Sequence, residues 1–186
     1  MKRLLDIAAG LAGLIALSPL LLGLAIAVRL ESPGPALHWS RRVGRRNRIF
    51  AMPKFRSMRT DAPDVPTHEL ADPQQWVTPL GRFLRRTSLD ELPQLWSVLK
   101  GDMSLVGPRP ALHSQEDLVA LRTAAGVDAL RPGLTGWAQI NGRDELPIPE
   151  KARLDHEYLQ RMSLAFDFKI LAATARAALS GRGVSH

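Results

Sequence analysis

Two adjacent acids lie in the middle of the chain among arginines. The stretch LRRTSLDELPQLWSVLKGDMSLVGPRP, residues 84–110, contains Asp90 and Glu91, with Arg85 before them and Arg109 between two prolines. Those prolines restrict the backbone and direct the arginine side chain. Carboxylates kept ionised by arginines can act as a nucleophile or as metal ligands. The group suits Mg²⁺-assisted phosphate chemistry, because the metal takes carboxylate and phosphate oxygens while arginines balance the remaining charge.

A structural role for the same acids is the alternative. Ser88 to Glu91 fits a capping box, in which acids begin a helix and complement its dipole. Pro93 would then lie in the helix interior, so a helix that starts near Asp90, with Pro93 in its first turn, fits better. Both acids would then lie beside free backbone N–H groups, which attract phosphate. Arg109 alone could equally be a surface arginine in a turn.

The composition narrows the classes of function. The chain has 186 residues, with 25 Lys+Arg against 18 Asp+Glu, and its net charge of +7 favours an anionic partner such as nucleic acid, phospholipid headgroups or a phosphorylated small molecule. No cysteine is present, which excludes disulfides, thiolate catalysis and cysteine zinc sites. The five histidines show no metal-ligand spacing.

An apolar segment near the start of the sequence indicates a membrane. Residues 7–28 carry no charge, and as a straight helix they would measure roughly 33 Å, just enough to cross a bilayer core of about 30 Å. Pro19 has no N–H and its ring clashes with the carbonyl of Ile15, so a kink is expected there. Ser18 can hydrogen-bond a carbonyl freed one turn back.

The charges on both sides of this segment favour a re-entrant helix. Lys2 and Arg3 precede it, while Arg29 and the basic stretch 41–48 follow it. Under the positive-inside rule both flanks belong on the cytoplasmic side. A kinked helix that enters and leaves on one face satisfies both flanks, with an ordinary spanning helix and a buried soluble helix as alternatives. We therefore expect a re-entrant membrane helix over residues 1–30 and a cytoplasmic catalytic domain over 31–186.

The remaining patterns predict an α+β fold that is mainly α. Residues 36–58 read as a small β-hairpin around a turn at 44–47, and residues 60–76 as a mobile loop with a possible short helix at 68–71. Pro132-Gly133 suits a type II turn. Two short helices are expected within 78–102, one helix that ends at Gly126, and one on each side of 162–163. The last of these helices is apolar with basic ends, which suits a membrane surface.

The motifs together resemble a known family. SPLLL, KFRSM, the central stretch quoted above, RPGLTGWAQINGR and LDHEYLQRMSLAFDFKI cover nearly the whole chain. In them the chain resembles the bacterial sugar transferases, the monotopic polyprenyl-phosphate phosphoglycosyl transferases, and its length is similar to that of members with only the catalytic domain. The resemblance implies a re-entrant membrane helix, a helical catalytic domain and interfacial amphipathic helices. Ser18-Pro19 matches the break in the family's membrane helix.

The resemblance also implies roles for individual residues. Asp90 matches the family's nucleophile, which forms a covalent phosphosugar intermediate, and Glu91 matches its Mg²⁺ ligand. Arg85 and Arg109 match positions that handle phosphate or shape the site. Three further residues are weaker candidates for binding substrate phosphate or nucleotide. Lys54 and Arg56 have as their alternative a basic strand pair that faces lipid headgroups, and Arg143 has a purely structural role as its alternative.

The implied reaction moves a sugar-1-phosphate from a UDP-sugar to undecaprenyl phosphate, with release of UMP. It takes place at the cytoplasmic face of the bacterial inner membrane, among phospholipids, and begins the assembly of a capsule, exopolysaccharide, O-antigen or glycoprotein glycan. A homodimer is plausible, and nucleic acid is not an expected partner. The alternatives are a membrane-anchored nucleic-acid-binding protein, suggested by the basic stretch 41–48, and a phosphohydrolase of lipid diphosphates.

Overall fold

The structure is a computed structural model that describes residues 1–63, 72–142 and 146–179. The α-helices in this part of the chain are α1 Lys2–Glu31, α2 Pro79–Thr87, α3 Leu95–Lys100, α4 Glu116–Ala124, α5 Trp137–Ile140, α6 Ile148–Arg161 and α7 Leu164–Leu179. The strands are β1 Leu37–Val43, β2 Ile49–Phe55, β3 Ser104–Val106 and β4 Gly133–Thr135. These elements are consistent with the predicted α+β, mainly α class.

Helix α1 runs unbroken through its proline. Ser18 Oγ donates a hydrogen bond of 2.8 Å to the carbonyl oxygen of Ile15, the acceptor that Pro19 leaves without its usual N–H partner. This is the predicted serine contact. The helix is long and apolar enough to cross a membrane, judged by length and composition. Most of its apolar side chains face away from the rest of the protein, as a lipid-facing helix requires.

Both ends of α1 nevertheless contact the same domain. Near the first end, the Asp6 carboxylate accepts a hydrogen bond of 2.9 Å from Ser104 Oγ. Near the other end, Val28 packs in a buried cluster with Phe55 and Leu84. At about 1.5 Å of rise per residue, these two contacts lie roughly 33 Å apart along the helix axis. The helix therefore lies along the domain instead of projecting away from it.

The predicted β-hairpin is confirmed. Strands β1 and β2 pair antiparallel, with Leu37 opposite Phe55 and Val43 opposite Ile49. A 3₁₀ turn, Arg45–Asn47, joins them. The end of β2 leads directly into residues 56–57, which contact the start of α2 and the linker after α1. The hairpin thus connects the membrane helix with the central segment.

The acid pair lies in a 3₁₀ helix, Leu89–Gln94, which leads into α3. The helix predicted to start near Asp90 starts one residue earlier, at Leu89, and its first turns are 3₁₀; the alternative of a capping box is wrong. The reason is that Ser88 already ends α2: it has a left-handed backbone (φ 57°) and its N–H donates to the carbonyl oxygen of Arg85. Its side chain makes no cap hydrogen bond to the following turn.

A parallel strand pair was not predicted. Strands β3 and β4 pair with Ser104 opposite Gly133 and Val106 opposite Thr135. The type II turn expected at Pro132-Gly133 is wrong, because Gly133 lies in β4 without a positive φ. A Cβ at this position would lie 2.2 Å from the backbone nitrogen of Gly107, so glycine permits a close backbone approach here.

The last two helices contribute to a buried cluster in which Tyr158 and Phe166 pack with Val106 and Ile170. Their predicted junction near 162–163 is confirmed. Gly126 follows α4 in a left-handed conformation (φ 71°), which agrees with the predicted helix end. The short helix predicted at 68–71 lies outside the described residues. The described part of that loop contains a 3₁₀ turn, Pro73–Gln75.

Candidate active site

Glu91 is the centre of a cluster of cations from three separate segments. Lys54 Nζ, on β2, lies 2.6 Å from Glu91 Oε1. Arg109 Nη2, which follows β3, lies 3.4 Å from the same oxygen. Arg42 on β1 adds a third positive charge. The fold thus brings together Glu91, Lys54 and Arg109, three of the candidate residues named from the sequence.

These charges keep Glu91 ionised. Burial raises the pKa of its carboxyl group, but the positive charges of Lys54, Arg109 and Arg42 outweigh burial and lower the pKa to about 2. At neutral pH the side chain is therefore a carboxylate. Arg42 was missed as a site residue because the sequence shows it only as one arginine within a basic stretch.

One oxygen of Glu91 remains available. The hydrogen bonds from Lys54 and Arg109 both end on Oε1, and Oε2 accepts none from the residues that the structure describes. The described residues also contain no group of three or more His, Cys, Asp or Glu side chains that could hold a metal alone. Mg²⁺ commonly takes one or two carboxylates together with substrate phosphates. An ionised Glu91 with a free oxygen beside Asp90 fits that ligand pattern.

Asp90 lies beside Arg85. The Asp90 residue is 8% exposed, and its negative charge acts on the Arg85 guanidinium, opposing the effect of burial, which lowers the pKa of Arg85. Arg85 Nε donates a hydrogen bond of 2.8 Å to Ser57 Oγ. Ser57 therefore orients the arginine next to Asp90. The sequence reasoning missed Ser57, although it lies within the KFRSM motif.

Arg56 lies elsewhere. Its guanidinium donates to the carbonyl oxygens of Ser32 at 2.6 Å and Pro33 at 2.8 Å, and to Ser32 Oγ at 2.9 Å. These acceptors follow α1, and the arginine is only 7% exposed. The structure therefore brings Arg56 to the end of the membrane helix and not to the acid pair. Of the two cations proposed from KFRSM, Lys54 is the one beside the carboxylates.

The backbone of the turn that carries Arg109 is fixed by a buried ion pair. Arg122 Nη1 donates a hydrogen bond of 2.9 Å to the carbonyl oxygen of Arg109. The same guanidinium pairs with the buried Asp155 carboxylate at 2.6 Å. Burial raises the pKa of Asp155, and the Arg122 charge opposes that rise. Arg122 and Asp155 come from α4 and α6, and no local motif could have linked them to this turn. Arg143, proposed as a nucleotide contact, lies outside the described residues.

The charges and burial of these side chains indicate the kind of ligand that the site accepts. A buried acid and an ionised glutamate lie among arginine and lysine side chains, in a domain that carries a long apolar helix. Such a cluster suits an anionic ligand, and the apolar helix suits a membrane by its length and composition. Residues 1–181 match the family model described as bacterial sugar transferase, and the chain belongs to that family.

Individual relatives agree with this assignment. The chain is 41% identical to an undecaprenyl-phosphate glucose phosphotransferase of Komagataeibacter xylinus, over 97% of this chain and 36% of the relative. It is 40% identical to a UDP-glucose:undecaprenyl-phosphate glucose-1-phosphate transferase of Escherichia coli, over 94% of this chain and 39% of the relative. An uncharacterized sugar transferase of Bacillus subtilis, EpsL, is 40% identical over 99% of this chain and 90% of its own length. The chain spans little more than a third of the first two relatives.

Proposed function

We propose that the protein transfers a sugar-1-phosphate from a UDP-sugar to undecaprenyl phosphate and releases UMP. The observation that carries the proposal is the position of Asp90, a buried carboxylate next to the cation-bound Glu91, in a domain that lies against a long apolar helix. The names of the relatives support the donor and the acceptor, since they describe transfer of glucose phosphate to undecaprenyl phosphate.

In the first step, an oxygen of the Asp90 carboxylate attacks the β-phosphorus of the UDP-sugar. A bond forms between that oxygen and phosphorus, and the bond between the β-phosphorus and the bridging oxygen to the α-phosphate breaks. UMP leaves with the electron pair of that bond. The sugar phosphate remains attached to Asp90 as an acyl phosphate.

In the second step, a phosphate oxygen of undecaprenyl phosphate attacks the same phosphorus. The bond to Asp90 breaks, which restores the carboxylate and gives the sugar-diphospho-lipid. Because each step is an attack by one anion on another, both need cations to offset the repulsion. Lys54, Arg109 and Arg85 are the cations that the fold places beside the acids.

The residues also fit Mg²⁺ as a cofactor. Glu91 would hold it through Oε2, with Asp90 and substrate phosphate oxygens close by. When bound, the metal would offset negative charge on the phosphates of the donor. The ammonium of Lys54 and the guanidinium of Arg109 keep Glu91 ionised over the whole physiological pH range, so no proton has to leave before a cation binds.

The protein would be seated in the cytoplasmic leaflet of the bacterial inner membrane with α1 as a re-entrant helix. The support is that Asp6 and Val28, near opposite ends of α1, both pack on one domain. A straight helix that crossed the bilayer would carry one of these ends to the far side. This seating lets a soluble donor and a lipid acceptor reach one site.

The test is UMP release by the purified protein in lipid with undecaprenyl phosphate and Mg²⁺, over a panel of UDP-sugars. Glucose, galactose and N-acetylgalactosamine come first, because relatives are named for each of them. We expect release to require the lipid and the metal, and to disappear in Asp90→Asn but not in the matched control Asp117→Asn, an exposed acid on α4. UMP release that persists in Asp90→Asn would contradict the assignment of Asp90 as the nucleophile. Phosphate release without any UDP-sugar would indicate a phosphohydrolase instead.

A further inference from the structure

A cavity lies at the start of α1, and neither Asp90 nor Glu91 lines it. It has a volume of about 310 Å³. Four cationic side chains line it, namely Lys2, Arg3, Arg45 and Arg131. They come from the first turn of α1, the hairpin turn and the segment before β4, so the cavity forms only where these three parts of the fold meet.

Two of the arginines, Arg45 and Arg131, are fixed through Nε, which leaves their terminal nitrogens available to bind a ligand. Arg45 Nε donates a hydrogen bond of 2.8 Å to the carbonyl oxygen of Ala129. Arg131 Nε donates one of 2.8 Å to the carbonyl oxygen of Gly101. The terminal nitrogens of both guanidinium groups make no hydrogen bond to the part of the chain that the structure describes. Two such nitrogens side by side match the spacing of two phosphate oxygens.

The acids near this cavity are already engaged. Asp6 accepts hydrogen bonds from Ser104 Oγ at 2.9 Å and from the backbone nitrogen of Leu105 at 3.0 Å. Asp167 pairs with Lys2 at 2.6 Å. With Asp6 and Asp167 counted against them, the four cations still leave an excess of two positive charges. The cavity is therefore suited to an anion.

The location favours an anion carried by a lipid. Leu4 and Leu5, which directly follow the first cations of α1, are 71% and 43% exposed. The cavity thus lies where the polar domain meets the apolar surface of the helix. If α1 is embedded as proposed above, this border coincides with the phospholipid headgroups. The wall also includes Leu130 and Met162, so it is not uniformly polar.

We propose that this cavity binds the phosphate of an anionic phospholipid, held mainly by Arg45 and Arg131. Its acyl chains would lie against the exposed leucines of α1. Such a lipid would hold the first turn of α1 at headgroup depth and so help keep both ends of the helix on one face. The inference rests on the membrane seating in the proposed function and not on the transfer reaction.

The test compares flotation of the full chain with two kinds of vesicle, phosphatidylcholine alone and phosphatidylcholine with phosphatidylglycerol. We expect the wild type to float with both and to partition more strongly onto the anionic vesicles. Arg45→Gln/Arg131→Gln should lose that preference on the order of tenfold, while floating with neutral vesicles like the wild type. The matched control is Arg46→Gln/Arg48→Gln, which removes the same charge from the hairpin turn outside the cavity.

Three results would overturn the proposal. An equal loss in both double variants would mean diffuse attraction to anionic lipid without a binding cavity. Removal of the preference by millimolar inorganic phosphate, added at constant ionic strength, would assign the cavity to free phosphate. A failure of the wild type to float with neutral vesicles would contradict the membrane seating itself, and the lipid site with it. Arg131 also donates a hydrogen bond to Gly101, so its loss could prevent the double variant from folding. In that case the single variant Arg45→Gln, at an exposed position, is compared with the wild type on the same two kinds of vesicle.

Discussion

At the scale of single residues, the site is organised around the charge on Glu91. Lys54 and Arg109 share one of its oxygens, and their positive charges hold its pKa near 2 although burial acts in the opposite direction. A carboxylate in this state neither gains nor loses a proton over the physiological range. Its charge is therefore a fixed part of the site, which distinguishes it from a general acid or base.

The first prediction concerns the pH dependence of stability. The pKa of Glu91 falls from an ordinary 4.5 to about 2 on folding, so its contribution is fully present above about pH 4.5 and is lost as the pH falls through 2. Between these values the free energy of unfolding of the wild type should fall by up to roughly 3 kcal/mol more than that of Glu91→Gln. Denaturant titrations in detergent at several pH values measure this. Glu116→Gln, at an exposed position, is the control and should follow the wild type; parallel curves for Glu91→Gln would contradict the account.

The second prediction concerns Ser57, which accepts the hydrogen bond from Arg85 Nε. Ser57→Ala should release the arginine from its position beside Asp90 and lower kcat about tenfold, with a smaller effect on KM for the UDP-sugar. Ser57→Thr keeps the hydroxyl and should recover part of the rate. Steady-state UMP release measures both, with Ser114→Ala at an exposed position as the control. If Ser57→Thr and Ser57→Ala lower kcat equally, Ser57 contributes to packing and does not orient Arg85.

Sequence reasoning at this scale found the residues that are neighbours in a motif. Asp90, Glu91 and Arg109 lie within one stretch, and Lys54 lies in a second motif. It missed two residues whose contacts join separate segments: Arg42, which acts on Glu91 from β1, and Ser57, which lies in the KFRSM motif but bonds Arg85 on α2. Such contacts depend on how distant segments pack, which residue types and local spacing do not encode.

At the scale of elements, the long patterns were predictable and the short ones were not. The hairpin and the two last helices span many residues, so their periodicity is visible in the sequence. Strands β3 and β4 have three residues each, too few to show an alternation. The 3₁₀ helix of the acid pair depends on Ser88, whose N–H is used to end α2. The start of this helix near Asp90 was predictable from the position of Pro93, but its 3₁₀ geometry was not.

The third prediction concerns the contact between α2 and the segment after β2. A Cβ at Gly81 would lie 2.1 Å from the carbonyl oxygen of Ser57, a backbone atom that a side-chain rotation cannot move. Gly81→Ala should therefore destabilise the protein by roughly 3 kcal/mol and displace Arg85, which lies on α2. Thermal unfolding in detergent measures the loss. Gly23→Ala in α1, where a Cβ meets no atom within 4 Å, is the matched control; equal melting temperatures for both variants would refute the close approach.

At the scale of the whole molecule, α1 and the domain form one packed unit. Lys2 pairs with Asp167 on α7, while Arg56 donates to the carbonyl oxygens that follow the last turn of α1. Both ends of an apolar helix are thus attached to the part of the chain that contains the acid pair. The sequence predicts a one-sided arrangement from charge alone, and this seating stays a prediction. The division at residue 30 into a membrane helix and a catalytic domain stays a prediction.

The fourth prediction follows from this packing. The chain contains no cysteine, so single-cysteine variants report one position each. Lys2→Cys lies at the first end of α1, where the lysine side chain is 28% exposed, and Lys169→Cys lies at an exposed position on α7. A membrane-impermeant maleimide should label both from the cytoplasmic side in inside-out vesicles and neither in intact spheroplasts. Labelling of the two variants from opposite sides would show a helix that crosses the bilayer.

The central claim is that Asp90 carries the sugar phosphate between the two substrates. The most direct measurement is the intact mass of the protein after mixing with the UDP-sugar and Mg²⁺ in the absence of undecaprenyl phosphate. The account predicts that the wild type gains the mass of one sugar phosphate, that peptide mapping places it on Asp90, and that adding undecaprenyl phosphate removes it. Asp90→Asn should gain nothing. UMP formation in the wild type without any adduct, or an adduct that persists in Asp90→Asn, would contradict the account.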